Sequence, residues 1–378
     1  MRKVYLENHQ IVSPLGSTSQ ENIEAVTQGK SAMQSYHSPF MGDYVAGKIS
    51  EIKLQERFKR LENAEAYTKL EKMMILAVAE VLQAHQEIPK EKIVFIIATT
   101  KGNVDALAEE NPFSKERAKL PQLAKRLQHY FKLPETPIVV SNACISGGLA
   151  VSVAKKLIQN KTYDHAVVVG GDLVSEFTLT GFNSFQALAK GVCEPFSKDR
   201  TGINIGEAAA AVWVTSVKPK EEAIEIIGEA TANDANHISG PSRTGEGLYL
   251  SVQKALQEAG ILASEIDYIS AHGTATLFND EMESIAFHRL GLQHTPLNSL
   301  KAYYGHTLGA SALLELIFSQ VSLQENRVFK SLGYKNQGTS KALNMITTTE
   351  HKSLQIALKT ASGFGGCNFA MLLKKETE

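Results

Sequence analysis

Short apolar runs that do not alternate, spaced by long helical stretches, set the tightest limit on what this chain can become. Ile93–Ala98, Ala166–Gly170 and Ala208–Thr215 are apolar along nearly their whole length, so each reads as a strand covered on both faces. Leu70–Ala84 carries Met73, Met74, Leu76, Ala77, Val81 and Leu82 at helical spacing, and Pro121–Phe131 opens on proline with Leu123, Leu127 and Tyr130 on one face. After the polar connection Ser216–Glu222 the pattern restarts. Strands are expected at Ile224–Ile227, Ile266–Ser270, Gln355–Thr360 and Asn368–Leu373, with helices at Gly247–Glu258, Met282–Leu290 and Leu308–Leu323. Such an order implies an α/β fold with helices on both faces of its sheets. It also suggests a structural duplication, residues 1–217 and 218–378, without a detectable sequence repeat.

Composition narrows the function. The 378 residues are 43% hydrophobic and 21% charged with a net charge of −1, which gives no footing for nucleic-acid or membrane binding. Three cysteines, Cys144, Cys193 and Cys367, are too few and too scattered for a disulfide framework or a zinc site. Residues Met1–His9 carry charge where a signal peptide needs an apolar core. The expectation is a cytoplasmic protein with no metal.

Chemistry concentrates in four places. Val139–Val153 runs from a β-branched stretch through Ser141-Asn142-Ala143 to Cys144, then into a helix read over Ile145–Ile158. A thiol at the start of a helix sits where the N–H groups and macrodipole favour the thiolate. His272 lies in the loop after Asp267–Ser270, and His306 in Gly305-His-Thr-Leu-Gly309. Gly363-Phe-Gly-Gly366 forms a glycine-dense turn before the last strand. Any one of these alone reads as structure. Together, a cysteine and two loop histidines suit acyl transfer, because imidazole can activate a thiol or donate to a thioester carbonyl. Glycines let backbone N–H groups approach the developing oxyanion.

With those residues in place the chain resembles the elongating β-ketoacyl–acyl carrier protein synthases, condensing enzymes of the thiolase superfamily. The resemblance rests on Asn142-Ala-Cys144, Ala271-His-Gly-Thr-Ala-Thr276, Lys301 with Gly305–Ala310, and Gly363-Phe-Gly-Gly-Cys-Asn368. It implies the thiolase-like fold, two similar halves in five α-β-α-β-α layers. It implies Cys144 as the acyl-accepting nucleophile, and His272 and His306 as the pair assisting malonyl decarboxylation. Lys301 would pair with Glu283. The oxyanion hole would be the N–H groups of Cys144 and Phe364, and Thr274 and Thr276 would contact the phosphopantetheine arm. Phe364 would gate the acyl pocket. No cofactor is implied, since substrates ride on the phosphopantetheine of an acyl carrier protein. The implied partners are that carrier and either a second copy of this chain or a chain-length-factor-like subunit.

Departures from the pattern matter. Ser362 stands where the family has phenylalanine, and Glu194 where a basic residue often helps carrier docking. Docking would then lean on Arg57, Lys59, Arg60, Lys125 and Arg126. These changes resemble specialised polyketide pathways, such as aryl polyene pigments, more than housekeeping fatty-acid synthesis. Three other readings stay in view: a thiolase-type CoA acyltransferase, which needs a second catalytic cysteine; an initiating synthase, which would show Cys-His-Asn where both late positions here are His; and a non-catalytic chain-length factor, which has lost the cysteine present here as Cys144.

Overall fold

Ten strands form one continuous hydrogen-bonded sheet whose internal order repeats. The computed structural model describes residues 2–220, 222–234 and 240–376. The first five strands are β1 (Tyr5–Val12), β2 (Ile93–Ala98), β3 (Ile138–Val140), β4 (His165–Asp172) and β5 (Ala208–Thr215). The second five are β6 (Ile224–Asn233), β7 (Tyr268–Ser270), β8 (Leu297–Asn298), β9 (Ile356–Gly363) and β10 (Cys367–Lys375). In space the first set runs β3-β2-β4-β5-β1 and the second β8-β7-β9-β10-β6. Each set pairs its first three strands in parallel and its last two antiparallel. The two sets join where β1 meets β6, Tyr5 opposite Glu225 and Leu6 opposite Ile224. The duplication expected from the element order is therefore present in the strand topology.

The layering follows from which face each side chain occupies. Along β2, Val94, Ile96 and Ala98 belong to the central core, while Phe95 and Ile97 pack against Met73 and Met74 of helix α1 (Lys69–Gln83). The central core also takes in helices α2 (Ser146–Gln159) and α5 (Ser311–Glu325), together with Ala357, Phe369 and Met371 of the second set. On the far side of that set, Leu358 and Leu372 meet Val252 of helix α3 (Glu246–Ala259) and Phe287 of helix α4 (Leu277–Arg289). Helix α5 is buried from Ser311 to Leu323, which is why it shows no apolar stripe. Close approach between layers needs glycine: a Cβ on Gly147 would lie 2.8 Å from Leu313, and one on Gly148 2.4 Å from the Phe369 ring.

Several boundaries differ from the sequence reading. β6 continues past Gly228 to Asn233 because β10 pairs with it along its whole length. α4 begins at Leu277, five residues before the first buried apolar side chain, Met282. A hairpin at Gln34–Ser38 and Gly42–Gly47 and a helix at Glu176–Ser184 were not expected. No helix among the described residues is long and apolar enough to cross a membrane.

Candidate active site

The site assembles at the carboxyl ends of the parallel strands of both halves. β3 ends at Val140, the chain turns, and Cys144 sits two residues before α2. The turn is closed by Ser146, whose Oγ accepts from Asn142 N at 2.8 Å and donates to Ala143 O at 2.7 Å. Ala143 holds φ +44°. Ala275 (φ +61°) and Leu308 (φ +53°) repeat that left-handed conformation in the two histidine loops. Each costs a non-glycine residue about 1–3 kcal/mol, and such strain persists only where surrounding structure enforces it. Cys144 lines a cavity of about 340 Å³, whereas Cys193 and Cys367 are buried outside its wall.

Contrary to the expectation of a favoured thiolate, burial pushes the Cys144 thiol up to about 12, with Cys367 adding to the shift and Lys301 and Lys101 opposing it. Desolvation is the largest cause, and it favours the protonated sulfur at rest. A base must take that proton when the sulfur attacks.

Two imidazoles stand ready. Cys144 Sγ and one ring nitrogen each of His272 and His306 lie within 4.8 Å of one another. The two rings meet edge to face, centroids 5.2 Å apart. His306 Nδ1 accepts the Leu308 N–H at 3.2 Å, so the neutral ring carries its hydrogen on Nε2. That Nε2 is buried with no hydrogen-bond partner, as is Nδ1 of His272. Burial, followed by the positive charge of Lys301, holds both rings well below the usual histidine range. Both are neutral at neutral pH.

The expected Lys301–Glu283 pair does not form. Glu283, on the second turn of α4, accepts the backbone N–H of His272 at 2.8 Å and of Gly273 at 2.7 Å, with Asn279 Nδ2 at 2.8 Å. It braces the loop from the helix side. Lys301 Nζ points the other way, donating to His272 O at 2.9 Å and pairing with Glu315 of α5. Glu315 was missed because it sits among apolar residues on a wholly buried helix. So was Asp172 at the end of β4, whose carboxylate accepts from Thr99 Oγ1, the N–H groups of Thr100 and Lys101, and Gly309 N at 2.7 Å. That contact ties the His306 loop to the first half.

The cavity wall carries the remaining expected residues. Thr274 and Thr276 hydroxyls are 2.9 Å apart and both face it. Phe364 is flanked by Phe182 and Phe185, each 5.5 Å away between centroids. These two rings come from the unexpected helix and its C-cap, and they supply the aromatic packing that Ser362 does not. Ser362 Oγ instead donates to Asn368 Oδ1 at 2.7 Å, and Asn368 Nδ2 donates to Asp234 at 3.0 Å. Gly363 permits the loop to reach the nucleophile, since a Cβ there would lie 3.0 Å from Cys144 N. We expect Ser362→Phe to lower stability by about 1–3 kcal/mol, because it leaves the buried Asn368 Oδ1 without its donor. A urea midpoint equal to the native value contradicts this.

The basic candidates are not gathered at this cavity. Arg57 and Arg60 line a separate cleft with Ile93 and Phe131, at the amino end of β2, while Cys144 lies at the carboxyl ends. Lys59, Lys125 and Arg126 are exposed. Glu194 is tied to Lys335 at 2.6 Å. Among the described residues Cys144, His272 and His306 are the one trio spaced to share a cation. The buried Lys301 and Lys359 beside them share the single carboxylate of Glu315, a surrounding that does not favour a cation.

Comparison with known proteins identifies the family. A sequence model described as "Beta-ketoacyl synthase, N-terminal domain" matches residues 9–220, and "Beta-ketoacyl synthase, C-terminal domain" matches 223–335. A 3-oxoacyl-(acyl-carrier-protein) synthase 2 of Rhizobium meliloti (strain 1021) is 31% identical over 66% of this chain and 63% of its own length, so the match spans under two thirds of that relative. A putative mitochondrial 3-oxoacyl-(acyl-carrier-protein) synthase of Schizosaccharomyces pombe is 26% identical over 99% of both chains. Among solved structures, the ketosynthase ApeO in complex with its chain length factor ApeC, from Xenorhabdus doucetiae, matches with a TM-score of 0.88 at 24% identity, covering 99% of this chain and 98% of that one. The ishigamide ketosynthase/chain length factor gives 0.87 at 21%, covering 100% of each.

Proposed function

Because the chain belongs to the β-ketoacyl synthase family, we propose that it is a 3-oxoacyl–acyl carrier protein synthase, condensing an acyl chain held on Cys144 with a malonyl unit. The observation that carries this reading is the buried thiol facing two neutral imidazoles on one cavity wall. In the first step Cys144 Sγ attacks the carrier thioester while an adjacent imidazole takes its proton. The carrier thiol leaves with a proton, and the acyl group stays on sulfur. In the second step malonyl-carrier loses CO₂, and its thioester becomes an enolate. His306 Nε2–H and His272 donate to the enolate oxygen, where charge develops only in the transition state. The enolate carbon attacks the acyl carbonyl, the C–S bond to Cys144 breaks, and the released thiolate takes a proton from solvent to regain its resting form. The backbone N–H groups of Cys144 and Phe364 are assigned to the carbonyl oxygen in both attacks. Thr274 and Thr276 are assigned to the phosphopantetheine arm.

An acyl carrier protein is the proposed partner, with a second protomer that is either another copy or a chain-length-factor-like subunit. The latter is supported by the solved neighbours described as ketosynthase and chain length factor together. The aromatic wall of Phe182, Phe185 and Phe364 favours an unsaturated or aryl acyl chain of the polyene type. A thiolase-type reading is disfavoured because Cys367 is off the cavity wall. The presence of Cys144 itself speaks against a non-catalytic factor.

Incubation with acyl-carrier primers should add one acyl mass to the peptide holding Cys144 and to neither other cysteine. Cys144→Ala should accept none while still decarboxylating malonyl-carrier. An acyl adduct on Cys193 or Cys367 overturns the assignment.

A further inference from the structure

A second lysine lies behind the histidine pair. Lys359, in the middle of β9, is wholly buried, although a central strand is a costly place for a charge unless it is paired and hydrogen-bonded. Its Nζ meets Glu315 Oε2 at 2.8 Å and reaches the carbonyls of Ser270 at 3.2 Å, Ala271 at 3.3 Å and Thr360 at 2.5 Å. Lys301 takes the other oxygen of Glu315 and the carbonyl of His272. One carboxylate thus holds two ammonium groups. Between them, these groups bind the carbonyls of three consecutive residues, 270, 271 and 272, which end on the histidine.

We propose that Lys359 is a positioning residue for the condensation, sharing Glu315 with Lys301 so that the 270–272 segment cannot shift and His272 is held facing Cys144. The trio sets two lysines and one carboxylate beside both rings, which disfavours a further proton on either. Burial lowers Lys359 from the usual lysine range, and the Glu315 carboxylate opposes that shift. The charged and titratable groups facing the imidazoles are Cys144, Glu283, Lys301, Glu315 and Lys359, with Asp172 beyond Gly309. Like Glu315, Lys359 bonds no residue of the cavity wall and neither ring, so its effect must travel through the backbone carbonyls and the field. This inference rests on the ketosynthase reading, but its test does not depend on turnover alone.

Histidine and lysine side-chain NMR on the native protein comes first. His272 and His306 should stay neutral below the usual histidine range, and Lys359 should be a charged ammonium at neutral pH. A histidine titrating near 6.5, or a neutral Lys359 amine, overturns the proposal without any variant. Lys359→Met, which leaves Lys301 and Glu315 as a neutral pair, should raise both histidine titrations and move the acid limb of malonyl decarboxylation upward with them. It should lower condensation kcat by about ten- to a hundredfold at unchanged KM. Lys359→Gln, which keeps donors but not charge, should recover part of kcat and none of the titration shift. A folded Lys359→Met variant with native titrations and native kcat overturns the proposal. A native protein that neither accepts acyl groups nor decarboxylates malonyl-carrier would sink the ketosynthase reading, while the titrations still decide the part played by Lys359.

Discussion

Glu315→Ala destabilises the protein by about 3–5 kcal/mol, the cost of removing one partner from a buried ion pair. The carboxylate is held by Lys301 and Lys359, both with no exposed surface, so its loss leaves two buried ammonium groups in an apolar helix-and-strand core. Neither can turn to solvent, because α5 is enclosed from Ser311 to Leu323. The variant should melt well below the native protein and show a lower urea midpoint at an unchanged slope. Replacing all three residues together by Met, Leu and Met should recover most of that stability, since removing the whole cluster strands no charge, yet give no condensation. A Glu315→Ala variant within 1 kcal/mol of native stability, against the roughly 3–5 expected, would mean that the cluster is hydrated or uncharged.

His306→Ala should reduce condensation by about 10²–10³, the range for removing one preorganised oxyanion donor. The ring is fixed by the Leu308 N–H on Nδ1, which leaves Nε2–H as the hydrogen bond lost. Acylation of Cys144 should persist at a reduced rate, since His272 remains within reach as a base. Quench-flow acylation with a short acyl-carrier, alongside decarboxylation of malonyl-carrier, separates the two steps. Equal loss in both would make His306 the thiol's base instead. The pH dependence has a definite sign. Burial and Lys301 lower both histidines below 6.5, so protonation, and with it loss of rate, begins only at a pH below that of a free imidazole. An acid limb centred at or above 6.5 contradicts the buried, neutral pair.

Cys144 and His272 were legible because each follows a strand-like run in a loop rich in small residues, and His306 because it stands in the glycine-flanked loop Gly305–Gly309, after the helical turn Lys301–Tyr304. Strand ends are where a doubly covered sheet exposes chemistry. The strands β2 and β5 were read to the residue, since a segment buried on both faces has no alternation to confuse its ends. Glu283 was placed at the site but given the wrong partner. Its spacing from His272 says that it returns to the loop, not whether it meets an ammonium or two backbone N–H groups. Glu315 and Lys359 were invisible for the opposite reason. Each is a lone charge inside an apolar run, and only three-dimensional packing brings a residue of α5 and one of β9 to the same point. Phe182 and Phe185 went unread because the helix that carries them has no amphipathic pattern.

The seam at β1 and β6 has one more consequence. Cys144 comes from the first half and both histidines from the second, and the backbone ladder runs between the halves without interruption. Asp172 adds a second tie, from β4 to Gly309. Among the described residues the ladder and the Asp172 contact tie the halves together, so the spacing of Cys144 from the two histidines is set by the sheet. On the proposed function, selection of the acyl chain would then fall to parts outside the ladder, the ring of Phe364 and the short helix that carries Phe182 against it. On that reading a longer or stiffer acyl chain would be met by side-chain rotation, with the spacing of nucleophile and donors left to the sheet.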